Sequence, residues 1–536
     1  MSSKTEIIAD TNLVTDQPDQ ELNGSHIENT GGKPSYWTTG QKFALRVSAI
    51  FFLVMSIPLS GEWYKNLFGI NWFKIHYRDI YDIARFQPSL YHFSKPSYNL
   101  LGYTDWLQVL AIALVGAVIW TLVESKKSKL NYDTLYYWVR VVVRYRAGIG
   151  IIGFGYTKLF PTQMPYPSLG LLNTNFGDFT AQKIYWLSVG IVPWYQVFAG
   201  VVELLAGVLL FFRKTTTLGT VLLLSALGDI TYVNFAYDGG VHIYASYFVL
   251  FAAFLLWYDA VPVYNLLVKE RFTIPPTYFP SFSATWLRYT RIGLKALTIF
   301  IFLIYLFYAE YLNFFYDPYK QPAMKGVSVL RGNYHVTEFK INNQTVPYSP
   351  LDSVRWRDVT FEKWSTLTYN VNKPVKLDLS NGGGSPMRDI NRTFELTGTA
   401  GGKRVFYYDA DTVNHVLYLQ DKYVSARDRR GSKGENKLKK DKADKNWIPK
   451  QALANIGDEI YRIDKNAVSG RRIKGIAEEK QDKRKRNHMV LKYATQDGSR
   501  VILSGIDDKK DSVYIVLDRY KKDYVLKDSQ LQAGRY

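Results

Sequence analysis

The stretch Arg144-Tyr-Arg-Ala-Gly-Ile-Gly-Ile-Ile-Gly-Phe-Gly-Tyr-Thr-Lys158 combines apolar residues, four glycines and cations near both of its ends. It belongs to an apolar run over 137–157 that approaches the about 20 residues needed to cross ~30 Å of hydrocarbon. Small residues let two membrane helices come close together. The stretch therefore predicts a membrane helix that packs tightly inside a bundle.

Six further apolar runs bring the first part of the chain to a prediction of about seven membrane spans. These runs cover 43–59, 106–123, 186–212, 217–236, 241–258 and 292–314. We expect 137–260 to form a compact four-helix core, because its runs carry many small residues. Two accessory spans with an outer loop occupy 39–136, and a cytoplasmic linker with the seventh span occupies 261–318.

Beyond about Phe315 the sequence becomes charged, and apolar and polar residues alternate. Examples are Tyr334-His-Val-Thr-Glu-Phe-Lys-Ile341, 391–397 and Ser512-Val-Tyr-Ile-Val-Leu517, and turn signals such as Asn342-Asn343 separate the segments. Eight to ten short strands of this kind predict an antiparallel β domain over 325–536, built as a barrel or a sandwich. A basic insertion over 425–488 interrupts the pattern, and we expect a short helix over 448–461 within it.

The chain has 536 residues, a formal net charge of +20 and no cysteine. The lack of cysteine excludes disulfides, thiolate nucleophiles and cysteine-ligated metals. About half of the net charge comes from residues 427–486. On the outer side of a membrane these residues fit an anionic surface better than a nucleic acid, and a solvated loop is the alternative.

Basic residues flank the predicted spans unevenly and indicate an orientation. Lys126-Lys127-Ser128-Lys129 and Arg213-Lys214 lie in loops that share one side if seven spans cross the membrane. That side is cytoplasmic by the positive-inside rule. The polar residues 1–38 predict a disordered cytoplasmic tail without a cleavable signal, so the β domain lies outside.

Three ionisable side chains, Arg144, Glu203 and Asp229, lie deep inside predicted spans. A charge at such a depth costs about 2.5–3.5 kcal/mol and tends to face the protein interior. The third run is centred near Gly148 and the fourth near Gly200. With a helix rise of about 1.5 Å per residue, Arg144 and Glu203 then come to a common depth and predict a buried ion pair. Asp229 is an intramembrane acid near the midplane, where Arg146 is the one cation at its depth.

A second polar group gathers where the predicted spans reach the outer face. Its members are Tyr156, Lys158, Gln163, Asn234, Tyr237, Asp238 and His242. Such a rim is able to hold a polar head group or to relay a proton. Aromatic anchoring at the membrane surface together with helix capping is the alternative interpretation.

Three segments resemble the DoxX family of bacterial membrane proteins over about 137–260. They are the run from Arg144 to Pro165, the run from Tyr195 to Gly219, and Asn234-Phe-Ala-Tyr237-Asp238 with His242 and Ser246. The resemblance implies a four-helix core in the inner membrane. Larger DoxX-like proteins of Gram-negative bacteria carry an extra domain that the outer domain resembles, and this implies a periplasmic location. Matching positions make functional candidates of Arg144, Lys158, Glu203, Asn234, Tyr237 and Asp238.

Two functions fit these observations. In the first, the bundle anchors the protein or binds a lipid or small molecule, and the periplasmic β domain docks a periplasmic or membrane protein. In the alternative, the chain resembles a thiosulfate:quinone oxidoreductase subunit that receives electrons through a partner and binds quinone. The sequence shows no cofactor motif and no metal site of its own, catalytic residues are not identified, and enzymatic activity stays open. A transporter is less well supported, because no internal repeat is visible.

Overall fold

The computed structural model describes residues 37–88, 90, 100–124, 130–273, 278–282, 284–383, 388–423, 447–479, 486–527 and 529–536. Three expectations lie outside these residues wholly or in large part. They are the disordered tail over 1–38, the cationic segment 126–129, and the most basic parts of the insertion over 425–488. The described residues form a helical part that ends at Tyr316 and a β domain that starts at Gly332.

The helical part contains thirteen α-helices within the described residues. They are α1 (Thr39–Ser56), α2 (Gly61–Phe68), α3 (Tyr77–Ala84), α4 (Thr104–Val123), α5 (Tyr132–Leu159), α6 (Leu169–Leu172), α7 (Ala181–Gly190), α8 (Pro193–Leu210), α9 (Thr216–Ala236), α10 (His242–Trp257), α11 (Ala260–Leu267), α12 (Thr285–Ile299) and α13 (Leu306–Tyr316).

Four helical segments of the described chain are long and apolar enough to cross a membrane, or up to six if each bent pair forms one span. The four are Thr104–Val123, Pro193–Leu210, Arg213–Ala236 and Thr285–Tyr316, and the bent pairs are α1 with α2 and α10 with α11. The prediction of seven spans is therefore wrong. Helix α5 is continuous over the third predicted span, but it is not among the segments that are apolar enough for a span, and it carries the cations Arg140, Arg144, Arg146 and Lys158.

Helix α5 is surrounded by other helices instead. It packs against α8, α10 and α1, while α9 packs against both α8 and α10. Buried apolar side chains fill these contacts, among them Val143, Ala147 and Ile151 of α5 and Phe248 and Phe251 of α10. A charged helix is thus held at the centre by apolar neighbours, which have the compositions of membrane spans.

The fourth predicted span, 186–212, contains a break. Helix α7 ends at Gly190 and α8 starts at Pro193, because proline has no N–H to donate and is favoured at the start of a helix. The segment before α7 contacts the β domain, where Thr180 N donates to Gly398 O at 3.0 Å. The first part of the run also contacts the β domain, since the Trp186 ring lies 6.4 Å from the Phe394 ring.

Helices α12 and α13 are joined by a π-helical segment, Phe300–Tyr305. π-Helical segments are rare, and many of them lie at functional sites. They disturb the regular pattern of backbone hydrogen bonds. Here Tyr156 Oη of α5 donates to Leu303 O at 2.7 Å. The irregular turn thus supplies an acceptor for a buried phenol of the neighbouring helix.

The β domain is a closed antiparallel barrel, so the predicted β domain is confirmed and the barrel form is the correct one. Strand β1 pairs with both β3 and β9 and closes a ring of eight strands, and β2 extends β1 as a short hairpin. The strands are β1 (Gly332–Ile341), β2 (Gln344–Thr345), β3 (Asp358–Phe361), β4 (Thr366–Asn370), β5 (Lys403–Asp411), β6 (Val416–Asp421), β7 (His488–Ala494), β8 (Arg500–Ile506) and β9 (Ser512–Tyr520).

Local sequence explains how the ring closes. Asn342 and Asn343 take positive φ angles of 49° and 65°, as a tight two-residue hairpin requires. The register of β1 on β9 shifts between Val336 and Glu338, and such a bulge bends and twists a strand, which helps a sheet to close into a barrel. The insertion contributes the helices α14 (Lys450–Ile456), α15 (Glu459–Arg462) and α16 (Gly470–Glu479).

Candidate functional site

An ion pair joins the two central helices of the bundle. Lys158 Nζ of α5 lies 2.8 Å from both carboxylate oxygens of Glu203 on α8, and both side chains are buried. A buried charge that is paired and hydrogen-bonded avoids most of the penalty of desolvation. The pair is satisfied within the protein, so it can hold the helices together without a ligand.

Glycines set the register in which α5 and α8 meet. A Cβ atom on Gly200 would lie 2.5 Å from Leu159 N, and one on Gly207 would lie 3.2 Å from Gly148 O. The backbones therefore touch with Gly148 opposite Gly207, seven residues from Gly200. At a rise of about 1.5 Å per residue this moves Glu203 by about 10 Å relative to the predicted depth.

The predicted ion pair between Arg144 and Glu203 is consequently wrong. Glu203 lies within reach of Lys158, because lysine side chains on a helix lean toward its N-terminus. Arg144 lies near the opposite end of α5, where its Nη1 donates to Thr216 Oγ1 at 3.3 Å. Its guanidinium also lies 5.6 Å from the Tyr145 ring centroid. Arg144 and Glu203 therefore occupy separate places in the bundle.

Asp229 does not face the protein interior. Its side chain is exposed on the outer face of α9, a helix that qualifies as a membrane span. Burial raises the pKa of Tyr185 on α7 to about 12, and the charge of Asp229 contributes to this rise. Arg146, the cation expected at the depth of Asp229, instead donates to Ala84 O at 3.1 Å and lies over the Phe86 ring.

The predicted cluster at the outer mouth is divided among different neighbours. Tyr156 and Lys158 are two residues apart on α5 and point to different sides, toward Leu303 and Glu203 respectively. Gln163 lies in the loop after α5, where its N–H donates to Thr157 O at 3.1 Å. These three residues therefore have different bonding partners.

The remaining members of the cluster lie at the junction of α9 and α10. Asn234 Nδ2 donates to Ile230 O at 2.7 Å, one helical turn back. The Tyr237 ring lies 5.1 Å from the Tyr185 ring, and Asp238 is exposed with a φ of 57°. His242 is buried, with its ring 4.3 Å from Phe235. These contacts fit capping and aromatic packing, the alternative interpretation of the group.

Sequence reasoning missed a chain of buried charges between α13 and the β domain. Asp317 directly follows α13 and pairs with Arg392, and Arg472 Nη2 lies 2.7 Å from Asp389 Oδ1. Arg392 Nη1 also donates to Pro318 O at 2.9 Å. Although burial alone would raise it, Arg392 and Arg472 hold the pKa of Asp317 well below its usual range. We name Asp317, Arg392, Asp389 and Arg472 the junction charges.

The junction charges extend to the loop region after α2. His76 Nε2 lies 3.4 Å from Asp317 Oδ2, and Arg471 of α16 lies 2.9 Å from Asp79 Oδ1. Burial lowers the pKa of His76, although Asp317 opposes the change. Three separate parts of the chain, α3, α13 and the insertion in the barrel, are thus connected by ionic contacts.

A second contact between the domains runs along the outer wall of the barrel. The carboxylate of Glu362 accepts from Leu169 N at 3.1 Å and from Gly170 N at 2.8 Å. Lys403 Nζ donates to Gly170 O at 2.9 Å, and Lys183 of α7 donates to Phe394 O. Burial lowers the pKa of Lys403 to about 8. The loop after α5 is therefore fixed against β3, β4 and β5.

In the part of the chain that is described, no group of three or more His, Asp or Glu side chains is able to hold a metal ion.

Glu310 is another buried residue that the sequence analysis missed. It lies within the predicted span 292–314, and an acid inside a span marks a candidate site in the same way as Glu203. It is fully buried on α13.

Comparison with known proteins adds one short similarity. No protein-family model matches the chain, and no solved structure matches it. The uncharacterised protein YwoB of Bacillus subtilis (strain 168) is 33% identical over 76 residues, which are 14% of this chain and 49% of that protein. The chain thus spans about half the length of the curated relative that it matches.

Proposed function

We propose that the chain is an integral protein of the bacterial inner membrane, with a DoxX-like core that anchors a rigid periplasmic platform for a partner. The junction charges carry this proposal. Removing one partner from a buried ion pair costs about 3–5 kcal/mol, so tilting the barrel away from α13 is strongly disfavoured. A domain on a free tether has no need of such contacts. The helical part serves as the anchor, and any lipid that it binds lies beside this fixed unit.

The loop between β2 and β3 is the docking surface that we propose. Leu351 is 93% exposed and Tyr348 is 62% exposed, so two large apolar side chains face solvent. The loop is held by its own domain: Arg355 Nη1 donates to Val346 O at 2.9 Å, and Asn372 Nδ2 to Ser349 O at 3.1 Å. Aromatic and apolar side chains on a fixed loop are suited to bury against a protein.

Site-specific photo-crosslinking in cells tests the docking role. A photoreactive amino acid at Leu351 is expected to give one or a few discrete protein adducts. The same residue at Leu122, exposed on the membrane helix α4, is the control and is expected to give lipid adducts. Leu351 adducts no more discrete than those from Leu122 would contradict the docking role.

The quinone alternative needs polar groups that are free to contact two carbonyl oxygens inside an apolar slot. Lys158 and Glu203 are bonded to each other, and Tyr156 Oη is bonded to Leu303 O. These contacts favour the anchor. Organic extraction and an absorption spectrum of the purified protein separate the two: stoichiometric quinone would support the oxidoreductase subunit, and quinone-free protein would support the platform.

A further inference from the structure

Helix α13 places a carboxylate and an amide on its buried face. Glu310 and Asn313 are three residues apart and therefore share that face, with exposures of 0% and 2%. Asn313 Nδ2 donates to Glu310 Oε2 at 3.2 Å. Leu306 and Ala309 on the same helix belong to one apolar cluster with Tyr77 of α3. Two polar side chains are thus enclosed within an apolar contact.

Three buried oxygen atoms at this place have no hydrogen-bond partner among the described residues. They are Glu310 Oε1, Asn313 Oδ1 and Tyr77 Oη. Helix α3, which carries Tyr77, packs against α13. Burial raises the pKa of Tyr77, Arg78 opposes the rise and Glu310 adds to it. Buried polar atoms are nearly always bonded to protein, water or an ion, and unsatisfied ones need an explanation.

Arg78 is the cation whose charge reaches Glu310, and it already has partners. Its Nη2 lies 2.9 Å from Asp82 Oδ1, and its guanidinium lies 4.8 Å from the Tyr81 ring and 5.6 Å from the Tyr319 ring. Asp82 is shared by Arg78 and Arg471 of α16. Glu310 is therefore left without a bonded cation in the part of the chain that the structure describes.

We propose that Glu310, Asn313 and Tyr77 form a binding site for a monovalent cation, either a sodium ion or a proton, with water completing the shell. Carboxylate, amide and phenol oxygens are hard donors that suit hard cations, and one carboxylate matches one positive charge. The π-helical segment Phe300–Tyr305 lies in the same continuous helical segment, a few residues before Glu310. Asp317 lies two turns beyond Glu310, so a bound cation stabilises the helix that carries the junction. This site goes beyond the platform function and does not depend on it.

Thermal unfolding of the purified full-length protein in detergent tests the site. Sodium, potassium and choline chloride are compared at constant ionic strength and several pH values. A sodium site predicts a midpoint that rises with the logarithm of sodium concentration, and binding of labelled sodium in equilibrium dialysis. The sodium response is expected to disappear in Glu310→Gln. A proton site predicts instead that, in choline, the midpoint of the wild type rises relative to that of Glu310→Gln as the pH falls, because the contribution of His76 is the same in both proteins.

Two further variants keep the test decisive. Asn313→Ala is expected to shift the sodium or proton response at least tenfold in concentration, and it replaces Glu310→Gln if that variant does not fold. Glu62→Gln, on the exposed face of α2, keeps the wild-type response. A midpoint that is indifferent to sodium, together with the same pH dependence in the wild type and Glu310→Gln, would overturn the proposal and leave the oxygens bonded to water alone. A sodium response that survives in Glu310→Gln would overturn it as well.

Discussion

Lys158 Nζ lies 2.8 Å from each carboxylate oxygen of Glu203, and the pair bridges α5 and α8 inside the bundle. The contact is next to Gly155 and Gly200, whose lack of a side chain brings the two backbones together. Since both charges are buried, each depends on the other. The pair and the glycines therefore act jointly on the packing of these helices.

Glu203→Gln is expected to destabilise the protein by about 3–5 kcal/mol, because Lys158 keeps its charge and loses its partner. Replacing both, as Lys158→Met with Glu203→Leu, is expected to recover much of that loss. Unfolding free energies from denaturant titration in mixed micelles provide the measurement. The matched cycle with Arg144→Gln and Glu203→Gln is expected to be additive. Non-additivity in that second cycle would mean that Arg144 does contact Glu203.

Gly200→Ala is expected to destabilise the protein by about 1–3 kcal/mol, because the new Cβ would lie 2.5 Å from Leu159 N and 2.7 Å from Gly155 O. Gly228→Ala on α9 is the matched control, with nothing within 4 Å of its Cβ. It is expected to stabilise the protein by up to about 1 kcal/mol through helix propensity. Equal effects of the two changes in thermal unfolding would contradict the close helix crossing.

Acid is expected to weaken the contact between the domains through His76. Its folded-state pKa is below the ordinary 6.5, so the unfolded chain binds more protons and stability falls as the pH drops below about 6.5. One group contributes at most about 1.4 kcal/mol per pH unit. The pKa values of Asp317 and Asp389 are lowered, so their contribution is lost only below about pH 4.

Unfolding midpoints between pH 7.5 and pH 5 compare the wild type with His76→Gln. The variant is expected to lose less stability over this range. His335→Gln is the control, since His335 is exposed on the barrel and pairs with Asp358 at the surface. Its pH dependence is expected to match that of the wild type. A His76→Gln profile parallel to the wild type would show that another group governs the acid response.

In the helical half, the sequence predicts the positions of most helices and their close packing, but not the register between them. The apolar runs located most helices, and the glycines correctly indicated close packing. The predicted register of α5 on α8 is wrong, because it places Gly148 level with Gly200, whereas Gly148 meets Gly207 in the structure. Asp229 is predicted to lie inside the bundle but is exposed. A single sequence does not say which face of α9 is covered by other helices.

In the β half, the sequence likewise predicts some strands and misses other features. Alternation predicted strands at both ends of the barrel, including β1 and β9. The strand β4, Thr366-Leu-Thr-Tyr-Asn370, is missing from the prediction although its sequence alternates. In the structure both of its faces are buried, one of them under the loop that carries Gly170. Residues 391–397 had the pattern of a strand, but this segment packs against Lys183 of α7 instead. The junction charges are separated by 70 residues or more in several pairs, and single-sequence patterns do not couple such positions.

The most direct test of the platform is the distance between the two domains. The chain has no cysteine, so Lys65→Cys on α2 and Lys492→Cys on β7 introduce two unique spin-label sites. Pulsed electron-spin measurements should give a narrow distance distribution, as narrow as that of a pair within the barrel at Gln344 and Lys492. Arg472→Met should broaden it by removing the partner of Asp389. A broad distribution in the wild type, unchanged by Arg472→Met, would contradict a rigidly held β domain.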